Sequence, residues 1–135
     1  MTRSYEQLCP IARTLDIVGD RWTLLILRNI LFGASKFSEL QAGLPGIPAR
    51  VLSQRLKRLE EHGLIARQVY SEHPLRAAYH LTAEGESLKP VLSAIASWGM
   101  EHMLSDDERR LVAQQVAAQV PDEGVRALFQ AYDRS

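Results

Sequence analysis

Apolar residues recur along this chain with two periods, near 3.6 over most of its length and near 2 in one central stretch. Pro10 to Val18 reads as a short helix, because Pro10 suits a first helical position and Gly19 ends the run. Asp20 is placed to cap a second helix, RWTLLILRNIL. Trp22, Leu25, Ile26 and Ile30 follow helical spacing there, while Leu24, Leu27 and Leu31 cover most of the remaining surface. A helix apolar almost all round is a buried one, so this is the expected spine of the core. FGASKF breaks it, Ser38 opens a shorter third helix, ELQAGL, and PGIP breaks the chain again.

Pro48 starts a fourth helix that runs to about His62, with Gly63 at its end. Steps of 100° put Leu52, Leu56 and Leu59 on one stripe, with Arg50, Gln54 and Lys57 opposite and Ser53 and Arg58 flanking them. Arg55 falls nearer the apolar stripe and reads as a packing or salt-bridge residue. Two strand-like runs follow, LIARQVY and AAYHL, joined by the turn-like SEHPLR. Thr82 can cap a long helix with Leu88, Val91, Leu92, Ile95 and Trp98 along one face, and Pro90 demands a kink or a fresh helix start close by. Ser105 with Glu108 makes a capping-box pattern ahead of RRLVAQQVAAQV. Beyond Pro121, the spacing of Val125, Leu128, Phe129 and Tyr132 predicts a last short amphipathic helix.

This order predicts a mainly α fold with a small β-hairpin wing: a winged helix-turn-helix with extra N- and C-terminal helices. Residues 1–104 make the DNA-binding domain including those flanking helices, and 105–135 form a C-terminal helical extension of the same domain. In such a fold the second helix of the pair lies in the DNA major groove. Arg50, Arg55, Lys57 and Arg58 stand within nine residues with no acid among them, in a chain of zero formal net charge. The outward set Arg50, Ser53, Gln54, Lys57 and Arg58 combines guanidinium, amide, hydroxyl and ammonium groups suited to base edges and phosphates. Lys36 and Ser38, at the start of the preceding helix, complete the expected DNA-facing set with His73 and Arg76 in the hairpin loop.

Charge and composition agree without deciding the matter. Met1 to Thr82 holds 11 Lys and Arg against 7 Asp and Glu, and Ala83 to Ser135 holds 5 against 9, so only the first part is suited to a polyanion. MTRSYEQLCPIA has no continuous apolar segment of the signal-peptide kind, and a single cysteine cannot form an internal disulfide. A cytoplasmic protein without a membrane span is expected. His62, His73, His80 and His102 lack metal spacing, no nucleophile motif or phosphate loop is present, and Asp106 and Asp107 suit a helix N-terminus better than a catalytic dyad. No enzyme, cofactor or metal is expected. The competing reading is a winged-helix module that binds protein rather than DNA.

Four stretches sharpen the picture: CPIARTLDIVGDRWTLLIL, FSELQAGLPGIPARVLSQRLKRLEEHGLIAR, HPLRAAYHLTAEGESL and SAIASWG. In their order and spacing from Cys9 to Gly99 they resemble the HxlR-type family of bacterial winged helix-turn-helix transcription regulators. The resemblance implies a homodimer binding double-stranded DNA at an inverted repeat, with repression the commoner outcome. It implies dimer contacts from the helix with Ile11, Leu15 and Val18 and from the helix with Leu88, Leu92, Ile95 and Trp98. Arg76 matches an arginine of the family wing. Cys9 matches the family's N-terminal cysteine, which some members use to sense quinones, aldehydes or oxidants, so a small-molecule or redox signal is a candidate input. A thiol at Cys9 meets the positive end of a helix dipole, with Arg13 one turn along. Pro48 departs from the polar residue, often Ser, of many relatives, and no family role carries over to residues 101–135.

Overall fold

A computed structural model describes residues 8–130. The helices are α1 (Pro10–Val18), α2 (Thr23–Leu31), α3 (Phe37–Ala42), α4 (Ala49–Glu61), α5 (Ala83–Glu86), α6 (Lys89–His102), α7 (Asp106–Gln119) and α8 (Glu123–Gln130). Between α4 and α5 lie strands β1 (Ile65–Glu72) and β2 (Leu75–Leu81), paired antiparallel. The predicted winged helix-turn-helix is therefore what the chain forms. Tyr132 lies outside the described residues.

Two compact units divide the chain, one of residues 8–30 with 34–86, the other of 31–33 with 87–130. The boundary after residue 86 lies ahead of the expected one at 104/105. Helix α6 groups with the C-terminal helices because Met100 is buried among Ala113, Val116, Val120, Val125 and Phe129, with Ala96 packed alongside.

In the first unit the core is aliphatic: Ile26, Leu27, Leu40, Leu44, Leu52, Leu56, Leu59 and Ile65 are fully buried. Asp20 caps α2 as expected, its carboxylate accepting from the backbone N–H groups of Trp22 (2.9 Å) and Thr23 (3.1 Å). Helix α3 begins one residue before Ser38. Its cap is the side chain of Glu39, which accepts from the N–H groups of Lys36 (2.9 Å) and Ser35 (3.2 Å), so Ser38 sits inside the first turn. The turn into α4 closes with Ile47 N–H donating to Leu44 C=O at 3.0 Å. Gly46 has φ +87°, the left-handed value a type II turn needs at its third residue, with Pro45 preset at the second. Leu44 and Ile47 are buried on either side of that turn. Leu52, Leu56 and Leu59 thereby share the inner face of α4.

The hairpin is longer than predicted. Its strands take up most of SEHPLR and leave His73–Pro74 as the turn. The register runs Val69↔Ala77 and then Ser71↔Arg76, so Tyr70 is the extra residue of a β-bulge. A third segment joins the sheet: Lys36 forms an isolated antiparallel bridge with Ala78, and Tyr79 N–H donates to Ser35 C=O at 2.8 Å. After the wing, Thr82 caps the short α5, its Oγ accepting from Gly85 N–H at 3.1 Å. Only glycine fits at position 85, because a Cβ there would stand 2.0 Å from the Leu64 carbonyl oxygen.

The long helix expected from Thr82 is split, with α6 starting at Lys89. Pro90, in the first turn of α6, lacks an N–H and its ring would clash with a helical carbonyl four residues back. In the second unit, Ser105 and Glu108 form the predicted capping box, with bonds of 2.9 Å and 3.2 Å between side chains and backbone N–H groups. Lys89 joins α6 to the start of α8 by a 2.8 Å ion pair with Asp122. Burial among the small side chains of α7 and α8 is incomplete, leaving a cavity of about 410 Å³ lined by Ala113, Ala117, Ala127, Glu123, Arg126 and Gln130.

Candidate nucleic-acid interface

Helix α4 presents Arg50, Ser53, Gln54 and Lys57 to solvent, on the side away from Leu52, Leu56 and Leu59. A guanidinium, an amide, a hydroxyl and an ammonium thus share one helix face, the donor set that pairs with guanine, adenine and phosphates in a major groove. Acids enter only at Glu60 and Glu61, in the last turn. The helix begins without a side-chain cap, at Pro48, whose carbonyl accepts from Leu52 N–H at 3.0 Å.

Arg58 does not belong to that outward set. It is half-buried, and its guanidinium donates to the backbone carbonyl of Asp16, in the last turn of α1. A long side chain flanking the polar face can swing to either side, and an unsatisfied helix-end carbonyl supplies a strong acceptor on the inner one. Arg55 also turns inward, as predicted: its Nε lies 3.1 Å from Asp20 Oδ1. Asp20 consequently serves both α2 and α4. Burial pushes its carboxyl pKa up, but hydrogen bonds from Thr23, Trp22 and Arg55 together outweigh that and hold it below its ordinary value of 3.8.

Lys36 and Ser38 are exposed at the start of α3. Backbone donation from Lys36 and Ser35 holds the Glu39 carboxyl below its usual range, so the cap stays ionised at neutral pH. The Lys36 ammonium lies 5.7 Å from the centroid of the Tyr70 ring. His73 and Arg76 are exposed at the hairpin end, where Ser71 Oγ donates to the Pro74 carbonyl at 2.9 Å. Two exposed wing residues lie outside the expected set, Arg67 and Tyr70. Arg67 could have been found from its position in a strand-like run. Tyr70 could not, since its place beside Lys36 depends on the non-local bridge between Lys36 and Ala78.

The residues expected at a dimer contact divide by burial. Ile11 and Leu15 are 72% and 40% exposed on α1, whereas Val18 is 4% exposed. Val18 is corrected to a core residue. On α6, Ile95 and Trp98 are exposed, with Val91 on the same face, and Leu88 and Leu92 are half-buried. The Trp98 ring meets that of His102 in a tilted contact, 4.7 Å between centroids. Cys9 is half-buried at the N-cap of α1, and its carbonyl accepts from Arg13 N–H at 2.9 Å. Among the described residues no group of His, Cys, Asp and Glu could hold a metal ion, and no helix is long and apolar enough to cross a membrane.

The profile of the HxlR-like helix-turn-helix family matches residues 17–107, from the end of α1 to the start of α7. The chain belongs to that family. It is 43% identical over 97 residues to the uncharacterized HTH-type transcriptional regulator YvaP of Bacillus subtilis (strain 168), covering 71% of this chain and 90% of YvaP. Among solved structures it is similar to the redox regulator HypR in its reduced form, at 30% identity and a TM-score of 0.67, covering 70% of this chain and 94% of HypR. It is likewise similar to the reduced form of the transcriptional regulator YodB from B. subtilis, at 31% identity and a TM-score of 0.60, covering 71% of this chain and 95% of that one. As an HxlR-like protein the chain is a DNA-binding transcriptional regulator with a winged helix-turn-helix, and not an enzyme. Helix α8 and most of α7 lie beyond the matched residues.

Proposed function

We propose that the protein is a repressor that binds an inverted-repeat operator as a homodimer. The observation that carries this reading is the division of α4 into a buried leucine face and an exposed Arg50–Ser53–Gln54–Lys57 face. Arg50 and Gln54 read base edges, and Ser53 and Lys57 hold phosphates. Lys36 and Ser38 add backbone contacts at the start of α3, and Arg76, with His73 beside it, reaches the groove or backbone next to the site. The exposed cations on this face favour DNA over a protein partner.

A second copy covers the exposed apolar residues: Ile11 and Leu15 on α1, and Val91, Ile95 and Trp98 on α6. Single apolar side chains are ordinary on a surface, but a run at helical spacing that includes a tryptophan 60% exposed is suited to burial in a partner. Dimeric binding sets two recognition helices about one DNA turn apart. The input is a small molecule or an electrophile acting near the dimer contact, with Cys9 the reactive candidate. The likeness to HypR, named a redox regulator, supports that choice.

Selection from a randomised duplex pool with reduced protein, followed by sequencing, tests the proposal. An enriched inverted repeat is expected. Enrichment of a single half-site by a protein that sediments as a monomer would overturn the dimeric reading.

A further inference from the structure

The bulge in β1 does more than lengthen the wing. Val69 pairs with Ala77 and Ser71 with Arg76, so Tyr70 has no cross-strand partner and its side chain is free of the ladder's alternation. Its ring stands 5.7 Å from the Lys36 ammonium. Lys36 is itself fixed at backbone level from two sides. Its bridge to Ala78, with the 2.8 Å bond from Tyr79 N–H to Ser35 C=O, stitches it to β2. Its own N–H donates to Glu39 at 2.9 Å, which ties it to the first turn of α3. What backbone anchoring leaves loose is the four-carbon lysine stem, and the aromatic face of Tyr70 restrains the charge at the end of that stem.

We propose that Tyr70 is a positioning residue for DNA binding: it holds the Lys36 ammonium at the junction of α3 and the wing, ready for a phosphate of the bound duplex. The proposal rests on the DNA-binding role of the fold. A lysine restrained before binding loses less freedom on meeting a phosphate than one that must be ordered at that moment. The aromatic ring suits this task better than a carboxylate, which would neutralise the cation and repel the duplex. Tyr70 is about half exposed, so replacing it leaves the hydrophobic core untouched.

Full-length protein and a labelled mixed-sequence duplex provide the test, with anisotropy titrations across roughly 50–200 mM salt. Lys36→Ala is expected to flatten the log–log salt dependence by about 0.9, the loss of one phosphate contact. Tyr70→Ala should weaken binding about two- to fivefold, as expected for an exposed cation–π contact, flatten the slope in the same direction, and add nothing in a Lys36→Ala background. Tyr70→Phe keeps the ring and should bind as the parent does, and Tyr70→Leu, apolar without a π-face, should follow Tyr70→Ala. Equal weakening by Tyr70→Ala with and without Lys36 would overturn the proposal, since the ring would then act on DNA or on the fold directly. So would a Tyr70→Ala protein with parental affinity and slope. A parent protein that binds the duplex at no salt concentration would remove the DNA-binding role along with the proposal.

Discussion

The two sides of α4 use the same chemistry to opposite ends. Four cations lie within nine residues, and the helix divides them evenly: Arg50 and Lys57 face solvent, while Arg55 and Arg58 reach back to Asp20 and to the Asp16 carbonyl. The outer pair is exposed and open to an anion. The inner pair has fixed acceptors at the junction of α1 and α2, and it anchors the helix that carries the outer pair. A basic cluster in sequence is therefore not one functional unit, because helical rotation and side-chain reach sort it into a binding half and an anchoring half.

The largest effect that separates the halves belongs to the leucines beneath the anchors. Leu56→Ala, at a residue 1% exposed, should cost about 2–5 kcal/mol of unfolding free energy in urea titrations. On the outer face, Arg50→Ala and Gln54→Ala should each weaken specific binding by about 1–3 kcal/mol. Competition between the selected operator and a mixed-sequence duplex would read this, with thermal midpoints unchanged. Arg58→Ala should lose about 1.5–3 kcal/mol of stability, the range for a charged hydrogen bond, and leave the salt slope of DNA binding alone. Parental stability with a flatter slope would return Arg58 to the DNA face. Lys57→Ala reverses that pattern: stability holds, and the slope falls by about 0.9 on every duplex tried.

The smallest effect is one of pH. The Asp20 carboxyl is held below 3.8 in the folded chain, so its contribution is complete above the unfolded value and fades as pH falls through the folded one. Thermal midpoints of parent and Asp20→Asn should differ at neutral pH and converge below about pH 3.8. A gap that persists unchanged at pH 2 would mean that the charge contributes nothing.

These comparisons show which parts of the molecule can be read from sequence. Caps and stops are local, so Asp20, Ser105 with Glu108, Pro48 and Gly63 mark their helix ends within a few residues of where they lie. The leucine stripe of α4 obeys helical periodicity and appears where it was expected. What escaped depends on distant partners or on conformational slack. Arg58 meets an acceptor 42 residues earlier, and no helical wheel gives the direction of a long flexible stem. The Lys36–Ala78 bridge is equally non-local. The full hairpin length is not legible in sequence because Ser71, Glu72 and Arg76 carry no strand-like alternation, and a bulge interrupts the period. Val18 kept its helical face but not its exposure, which the α1 pattern alone does not specify.

That bulge also decouples the tip of the wing from the alternation of β1. Val69 and Ser71 are two residues apart, yet their partners Ala77 and Arg76 are neighbours on β2, so their side chains lie on opposite faces of the sheet. Removing Tyr70 would leave the same pairs in a regular ladder, with Ser71 still opposite Arg76 and Glu72 still opposite Leu75. The tip would keep its faces, and the losses would be the ring beside Lys36 and the extra local twist that a bulge gives its strand.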